Sequence, residues 1–356
     1  MKPKKLTNVE IAKILGISTT AVSFALNNKP GVSEELRQKV LDLLKSEAQN
    51  DFNSRWENTS SVKYGTILVS VHKDFNTYID DDNFFYNVLS TIQREAMQQS
   101  LKLQTTFFIP EKQNFLEYID YLRTLKVDGI IVMSSELDRK FLAAYANLRL
   151  PLVILGNSFE SEEDKVDFVE IDDSKTILKA IEYACQNGHR NIGFIKGEPF
   201  NWGFRKLFDS YTRALNFYEL PPSKAISLPC DIEGAYKKMK ELLNDTNDTN
   251  DTKSQMPTLF ITPSDMIAIG AMEAFKELGY KVPNDVSFIS YGDTKLASIV
   301  KPELTTLHTN NIELGIEAVN ILITRIHRPD MPSKTLQISS RLIKRNSVQN
   351  IKIDEK

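Results

Sequence analysis

The chain has 356 residues, 41% apolar and 26% charged, an ordinary globular composition with length for two or three domains. Two cysteines, Cys185 and Cys230, are too few for a disulfide framework or a four-thiolate zinc site. No run of 18 apolar residues is present to span a membrane, and the formal net charge is only -3.

That charge is unevenly spread. Residues 1–30 hold five lysines against Glu10 alone, a net +4, which leaves -7 for the remainder. A basic start on an acidic body points to an anion-binding headpiece, with DNA phosphate the usual anion. A basic tail that only aids solubility is the competing reading. The stretch LTNVEIAKILG is interrupted by Glu10 and Lys13, so it is no signal-peptide core, and a soluble cytoplasmic protein is expected.

Thr7-Asn8-Val9-Glu10 has the form of a capping box, and Val9, Ile11, Ala12, Ile14 and Leu15 supply an apolar face. Gly16 ends this helix, and Ser18 caps a second over 19–27 with Ala21, Val22, Ala25 and Leu26 on its apolar side. Lys29-Pro30-Gly31 breaks the chain, and Ser33 caps a third helix over 34–47. Two short helices joined by a tight glycine turn, plus a third, predict a helix-turn-helix headpiece with the second helix in the major groove.

The segment LTNVEIAKILGISTTAVSFALNNKPGVSEELRQKVLDLL resembles the headpiece of the LacI/GalR family of bacterial transcription regulators. It keeps Ala12, Gly16, Ser18, Val22, Ser23, Leu26, Asn27, Val32, Ser33 and Arg37 of that pattern. It departs at Ala21, usually Thr, and at Phe24, usually Arg. The resemblance implies base reading by Thr19 and Thr20 and phosphate contact by Ser23 and Asn27. Thr7, Ser18, Asn28 and Ser33 join the DNA-facing set. Phe24 either offers apolar contact, such as to a thymine methyl, or packs inward.

Residues 49–63 form a polar linker. In the family this stretch is a hinge that wedges a side chain into the minor groove. Counting back from Gly65 places Arg55 and Trp56 there; a flexible linker with Trp56 packed on the body is the alternative.

From Tyr64, β-branched runs at 65–71, 101–108, 127–133, 151–156, 167–171, 191–197, 258–263, 285–292 and 305–309 alternate with amphipathic stretches such as 85–99, 174–187, 265–278 and 313–326. Such alternation means βαβ units, and about 290 residues call for two doubly wound halves with a ligand cleft beyond the strand ends. The resemblance extends here. It is carried by Asn187 to Phe194, Ser264-Asp265, Val282-Pro283, Pro302 to Leu307 and Arg341 to Ser347, and it implies a body of periplasmic-binding-protein type. The fold expected is α/β: a three-helix headpiece plus two parallel-sheet subdomains. The boundaries are 1–48 headpiece, 49–63 linker, 64–157 plus 309–330 first subdomain, 158–308 plus 331–346 second subdomain, and 347–356 tail. The stretch 80–96 looks most like a galactose- and β-galactoside-related subgroup.

No cofactor or metal is expected. A small-molecule effector, a galactoside or another sugar, is expected between the subdomains. The family's Tyr/Phe-Asp-Asp becomes Tyr291-Gly292-Asp293, and its Arg aligns with Leu207, where Arg205 can compensate. Phe200, Trp202 and Phe204 lie in the loop after strand 191–197, where a ring can stack on a sugar or pack beneath the loop. His72 and Asn157 stand at strand ends. Asp265 is either a ligand contact or an N-cap, and His189 a contact or a structural cap. NDTNDTNDT (244–252) reads as a solvent loop, and the tail has no leucine heptad to drive tetramerisation.

These features predict a homodimeric repressor of a carbohydrate-utilisation operon that binds a double-stranded operator. An activator or corepressor-dependent regulator, and a sugar-binding receptor without DNA function, are the alternatives. No P-loop, GxGxxG, HExxH or GxSxG occurs, so an enzyme is not expected.

Overall fold

The computed structural model describes residues 8–26, 31–33, 36–40, 43, 65–72, 83–110, 112–134, 139–156, 166–223, 225–246 and 256–351. The chain divides into two compact units, Met1–Lys63 and Tyr64–Lys356.

In the first unit, α1 spans Asn8–Leu15 and α2 spans Thr19–Leu26, and residues 36–40 are again helical. Gly16 takes φ +65°, and Ile17 N–H closes back onto the Ala12 carbonyl at 3.0 Å, so α1 stops where a residue without Cβ can turn the chain. Ser18 Oγ then accepts from Ala21 N–H at 3.1 Å, and Ser33 Oγ from Leu36 N–H at 3.2 Å. Ile11, Ala12, Val22, Ala25 and Val40 make the small core. Ile14 and Leu26, expected on the apolar faces, are 54% and 37% exposed, because two-turn helices offer only one narrow stripe to so small a core.

Among its described residues the second unit holds twelve strands in two six-stranded sheets. Sheet one runs β2 (Lys102–Phe108), β1 (Thr66–His72), β3 (Gly129–Ser134), β4 (Leu152–Leu155), β5 (Val166–Ile171), β11 (Thr335–Ile338), all parallel. Sheet two runs β7 (Ile226–Pro229), β6 (Ile192–Glu198), β8 (Leu259–Ile261), β9 (Ser287–Gly292), β10 (Thr305–His308), β12 (Arg341–Ile343), with β12 alone antiparallel. The central strands are buried on both faces, which is why they read as continuous apolar runs rather than alternating ones.

Helices cover both faces. Those of sheet one are α3 (Asn83–Gln98), α4 (Phe115–Thr124), α5 (Arg139–Ala146) and α10 (Asn311–His327). Those of sheet two are α6 (Asp173–Gln186), α7 (Trp202–Phe217), α8 (Ile232–Thr246) and α9 (Asp265–Glu277). Helix α8 runs to Thr246, so the first three residues of the Asn-Asp-Thr repeat are helical rather than loop. No helix among the described residues is long and apolar enough to cross a membrane.

The chain passes between the sheets three times, after Ile171, after His308 and after Ile338. The first and last passages correct the expected boundaries at 157 and 330. Val166–Ile171 pairs with β4, and Thr335–Ile338 extends the same sheet beyond it. A buried parallel strand carries no mark of which sheet it joins, so the sequence pattern is silent there. Strands β7 and β11 were not among the expected ones. Both are four residues long, and β7 ends in Pro229.

Candidate functional site

The carboxyl ends of both sheets face a common cleft of about 1420 Å³. Ser134, Gly156 and Asp173 reach it from the sheet-one side, and Pro199, Pro263, Tyr291 and His308 from sheet two. This is where a doubly wound sheet places its ligands.

Asp265, Tyr291 and Asp293 all line the cleft. Asp265 is not the N-cap of α9. Ser264 fills that role, its side chain accepting from Met266 N–H. Asp265 is 1% exposed and accepts from Ser290 Oγ, from Thr306 Oγ1 at 2.8 Å and from Thr294 N–H at 2.6 Å. Burial pushes its carboxyl up, against these three donors. Asp293 is bound by Arg345 at 2.6 Å and by His308 Nδ1 at 2.9 Å.

Three expected contacts lie elsewhere. His72 is 5% exposed inside sheet one, where Phe108, Phe115, Tyr118, Phe141 and Tyr145 surround its ring. Its Nε2 meets Tyr145 Oη at 2.5 Å, and Tyr145 continues through Ser70 to Tyr118 and Thr106. Desolvation pushes the imidazole down to about 4, so His72 is a neutral core residue. Trp202 is the first residue of helix α7 rather than part of a loop, and it is 43% exposed. Asn201 caps that helix by accepting from Phe204 N–H at 2.9 Å. The Asn201 cap starts α7 where a loop was expected. Arg205, on the same helix, sets its guanidinium 5.8 Å from the Phe200 ring. Leu207, at the position of the family's Arg, lines the cleft as an apolar wall. His189 is structural: its ring bonds Thr258 Oγ1 at 2.9 Å and the Gln349 carbonyl at 3.0 Å. Asn157 lies outside the described residues.

The cleft also holds residues that the sequence reading passed over. Asp173, the first residue of α6, lines it. Tyr291 Oη donates to Asp173 Oδ1 at 2.9 Å. Lys206 Nζ stands 3.7 Å from Asp173 Oδ2 and 2.5 Å from Glu170 Oε2, and Gln337 Nε2 donates to Glu170 Oε1 at 2.8 Å. Burial pushes the Asp173 carboxyl up to about 6, even though Lys206 and Tyr291 pull it down. The rule that picked out His72 and Asn157, polar residues at strand ends, applies equally to Asp172-Asp173 after β5. Phe84, Phe85 and Phe204 add aromatic walls. No group of three His, Cys, Asp or Glu among the described residues is placed to hold a metal ion.

In the headpiece, Ser18, Thr19 and Thr20 are exposed at the start of α2, opposite buried Val22 and Ala25. Ser23 and Phe24 are half-buried, and the Phe24 ring lies against Gly31, 3.2 Å from where a Cβ there would stand. Ser33 is exposed, with its hydroxyl capping the next helix. Thr7, Asn27, Asn28, Arg55 and Trp56 lie outside the described residues.

Residues 181–348 match the family model of the periplasmic binding protein-like domain. The HTH-type transcriptional repressor PurR of Actinobacillus pleuropneumoniae serotype 3 (strain JL03) is 26% identical over 348 residues, 96% of this chain and 98% of that protein. Among solved structures, a transcriptional regulator CelR–cellobiose complex has a TM-score of 0.68 at 19% identity, covering 96% of this chain and 99% of that one. The lac repressor dimer bound to operator and the anti-inducer ONPF has a TM-score of 0.69 at 20% identity, covering 97% and 100%. The likeness to these solved structures is one of fold and spans nearly the whole of each chain. The motif set of the headpiece and the crossing topology of the body agree with this: the chain is similar to repressors of the LacI/GalR type over nearly its whole length.

Proposed function

We propose that this protein is a DNA-binding transcriptional repressor, active as a homodimer in the cytoplasm, whose operator affinity is set by a small sugar-like effector in the cleft. The observation that carries the first half is the Ser18-capped helix α2. It buries Val22 and Ala25 and leaves Ser18, Thr19 and Thr20 exposed together, the arrangement a recognition helix needs. Ser23, Phe24 and Ser33 join them in the proposed DNA contact, as would Thr7, Asn27 and Asn28. Arg55 and Trp56 would contact the minor groove. Two copies would read two half-sites of a near-palindrome.

For the second half, support comes from a cleft that joins the strand ends of two sheets connected by three short passages. A ligand touching both sides favours one relative arrangement of them, and that is how a remote site biases a two-state body. The relatives named above are repressors, and one structural neighbour holds cellobiose. A carbohydrate-utilisation operon is the regulated target that fits.

The test is a mobility-shift assay on the DNA upstream of the protein's own coding sequence, with and without a panel of galactosides, glucosides and pentoses. One sugar is expected to change the retained fraction. Retention is also expected to fall steeply between 50 and 200 mM salt, by about 10³- to 10⁵-fold for a dimer making six to ten phosphate contacts. A salt-independent titration would remove the headpiece assignment.

A further inference from the structure

We propose that Asp173 is the carboxyl that reads the hydroxyl groups of the cleft ligand, in place of the one absent at position 292. The proposal rests on the sugar-effector reading above and names the residue that gives it specificity.

Position 292 cannot supply that group. Gly292 has φ +132°, a conformation that L side chains rarely adopt, and a Cβ there would lie 3.5 Å from Asp265 Oδ2. A carboxylate at 292 would thus be strained and set beside another buried carboxyl. Both neighbouring carboxylates already carry a hydrogen bond on each oxygen. Asp265 is committed to Ser290, Thr306 and the Thr294 N–H, and Asp293 to Arg345 and His308.

Asp173 is differently placed. Its side chain is 11% exposed, and it lines the cleft between the sheets. A carboxylate accepts about four hydrogen bonds. Tyr291 uses one of them on Oδ1. Lys206 is drawn away from Oδ2 to 3.7 Å by its 2.5 Å contact with Glu170, which Gln337 in turn holds. The lysine therefore lends charge without occupying the oxygen, and a ligand hydroxyl can donate to it. Two ring atoms of Phe204 lie 2.4 and 2.7 Å from where a Cβ on Gly197 would stand, so the ring packs directly on the glycine, and Phe204 lines the cleft. Phe84 and Phe85 meet edge-on at 5.5 Å in the same cleft. A carboxyl in the same cleft as aromatic walls suits a ring that carries hydroxyls on its edge and C–H groups on its face.

The test is calorimetric titration of the full chain with D-glucose, D-galactose, D-ribose, cellobiose and lactose, for the wild type, Asp173→Asn and Tyr291→Phe. At least one sugar is expected to bind the wild type. Asp173→Asn should weaken it about 10- to 100-fold, as loss of a hydrogen bond to a charged group does. Tyr291→Phe, which frees Asp173 from its orienting partner, should weaken it by a smaller factor. Equal sugar binding by wild type and Asp173→Asn would overturn the assignment and leave the sugar reading standing. Binding of no sugar by the wild type would overturn both. Loss of operator binding by Asp173→Asn without ligand would mark the residue as structural and overturn the assignment. If Asp173→Asn does not fold, Tyr291→Phe decides alone, and unchanged sugar affinity in it overturns the proposal.

Discussion

Arg325→Met is expected to lower the stability of the body by about 3–5 kcal/mol, read as a drop in its urea midpoint. Arg325 is 2% exposed on α10 and makes a bidentate pair with Asp167 of β5, Nε to Oδ2 at 2.9 Å and Nη2 to Oδ1 at 2.8 Å. The remaining N–H groups reach the carbonyls of Met331 and Pro332, in the turn that feeds β11. Asp167 also accepts from Lys334 N–H at 2.8 Å. Removing the arginine leaves a carboxylate buried without its cation and strips the turn of its donors. The cost comes from that stranded charge rather than from the net worth of the pair. The double variant Arg325→Met, Asp167→Leu should therefore recover a large part of the loss. A double variant as unstable as the single one would show that the turn, not the charge, carries the effect.

Opposite pH slopes are expected from two buried groups. The folded Asp173 titrates near 6, above its ordinary 3.8. Its contribution is complete below pH 3.8 and is withdrawn as the pH rises through 6. His72 titrates near 4, below its ordinary 6.5. Its contribution is complete above pH 6.5 and is lost as the pH falls through 4. Each shift corresponds to about 3 kcal/mol at 1.36 kcal/mol per unit. In the wild type the two largely offset each other between pH 4 and 6, with Asp265 adding to the Asp173 side. Relative to the wild type, His72→Asn should lose stability as pH rises across this window, and Asp173→Asn should gain it. Urea midpoints at half-unit steps from pH 4.5 to 6.5 measure both. Parallel curves for all three proteins would contradict the burial of these groups.

What could be read from the sequence was local. Ser18, Gly16 and Ser33 act within three or four residues of themselves, so spacing alone exposed the headpiece. The β-branched runs gave most strands because burial on both faces leaves a continuous apolar stretch. The cleft was harder. Asp173 owes its character to Tyr291, 118 residues away, and to Lys206 on another helix. His72 stands at a strand end like a ligand contact, yet aromatic rings from β2, α4 and α5 close over it. Trp202 reads as a loop residue after strand 191–197, although Asn201 is a good cap for a helix start.

The three passages between the sheets bear on how the protein is made. Sheet one begins at Thr66 but is finished only by Thr335–Ile338, and sheet two only by Arg341–Ile343. At bacterial-scale synthesis of about 5–20 residues per second, the first strand waits roughly tens of seconds on the ribosome for its last sheet partner. A chain cut short before residue 335 lacks an edge strand in both halves at once. Neither half can be released as an intact piece by a single cut, so truncated products are open-edged throughout and become targets for chaperones or proteases.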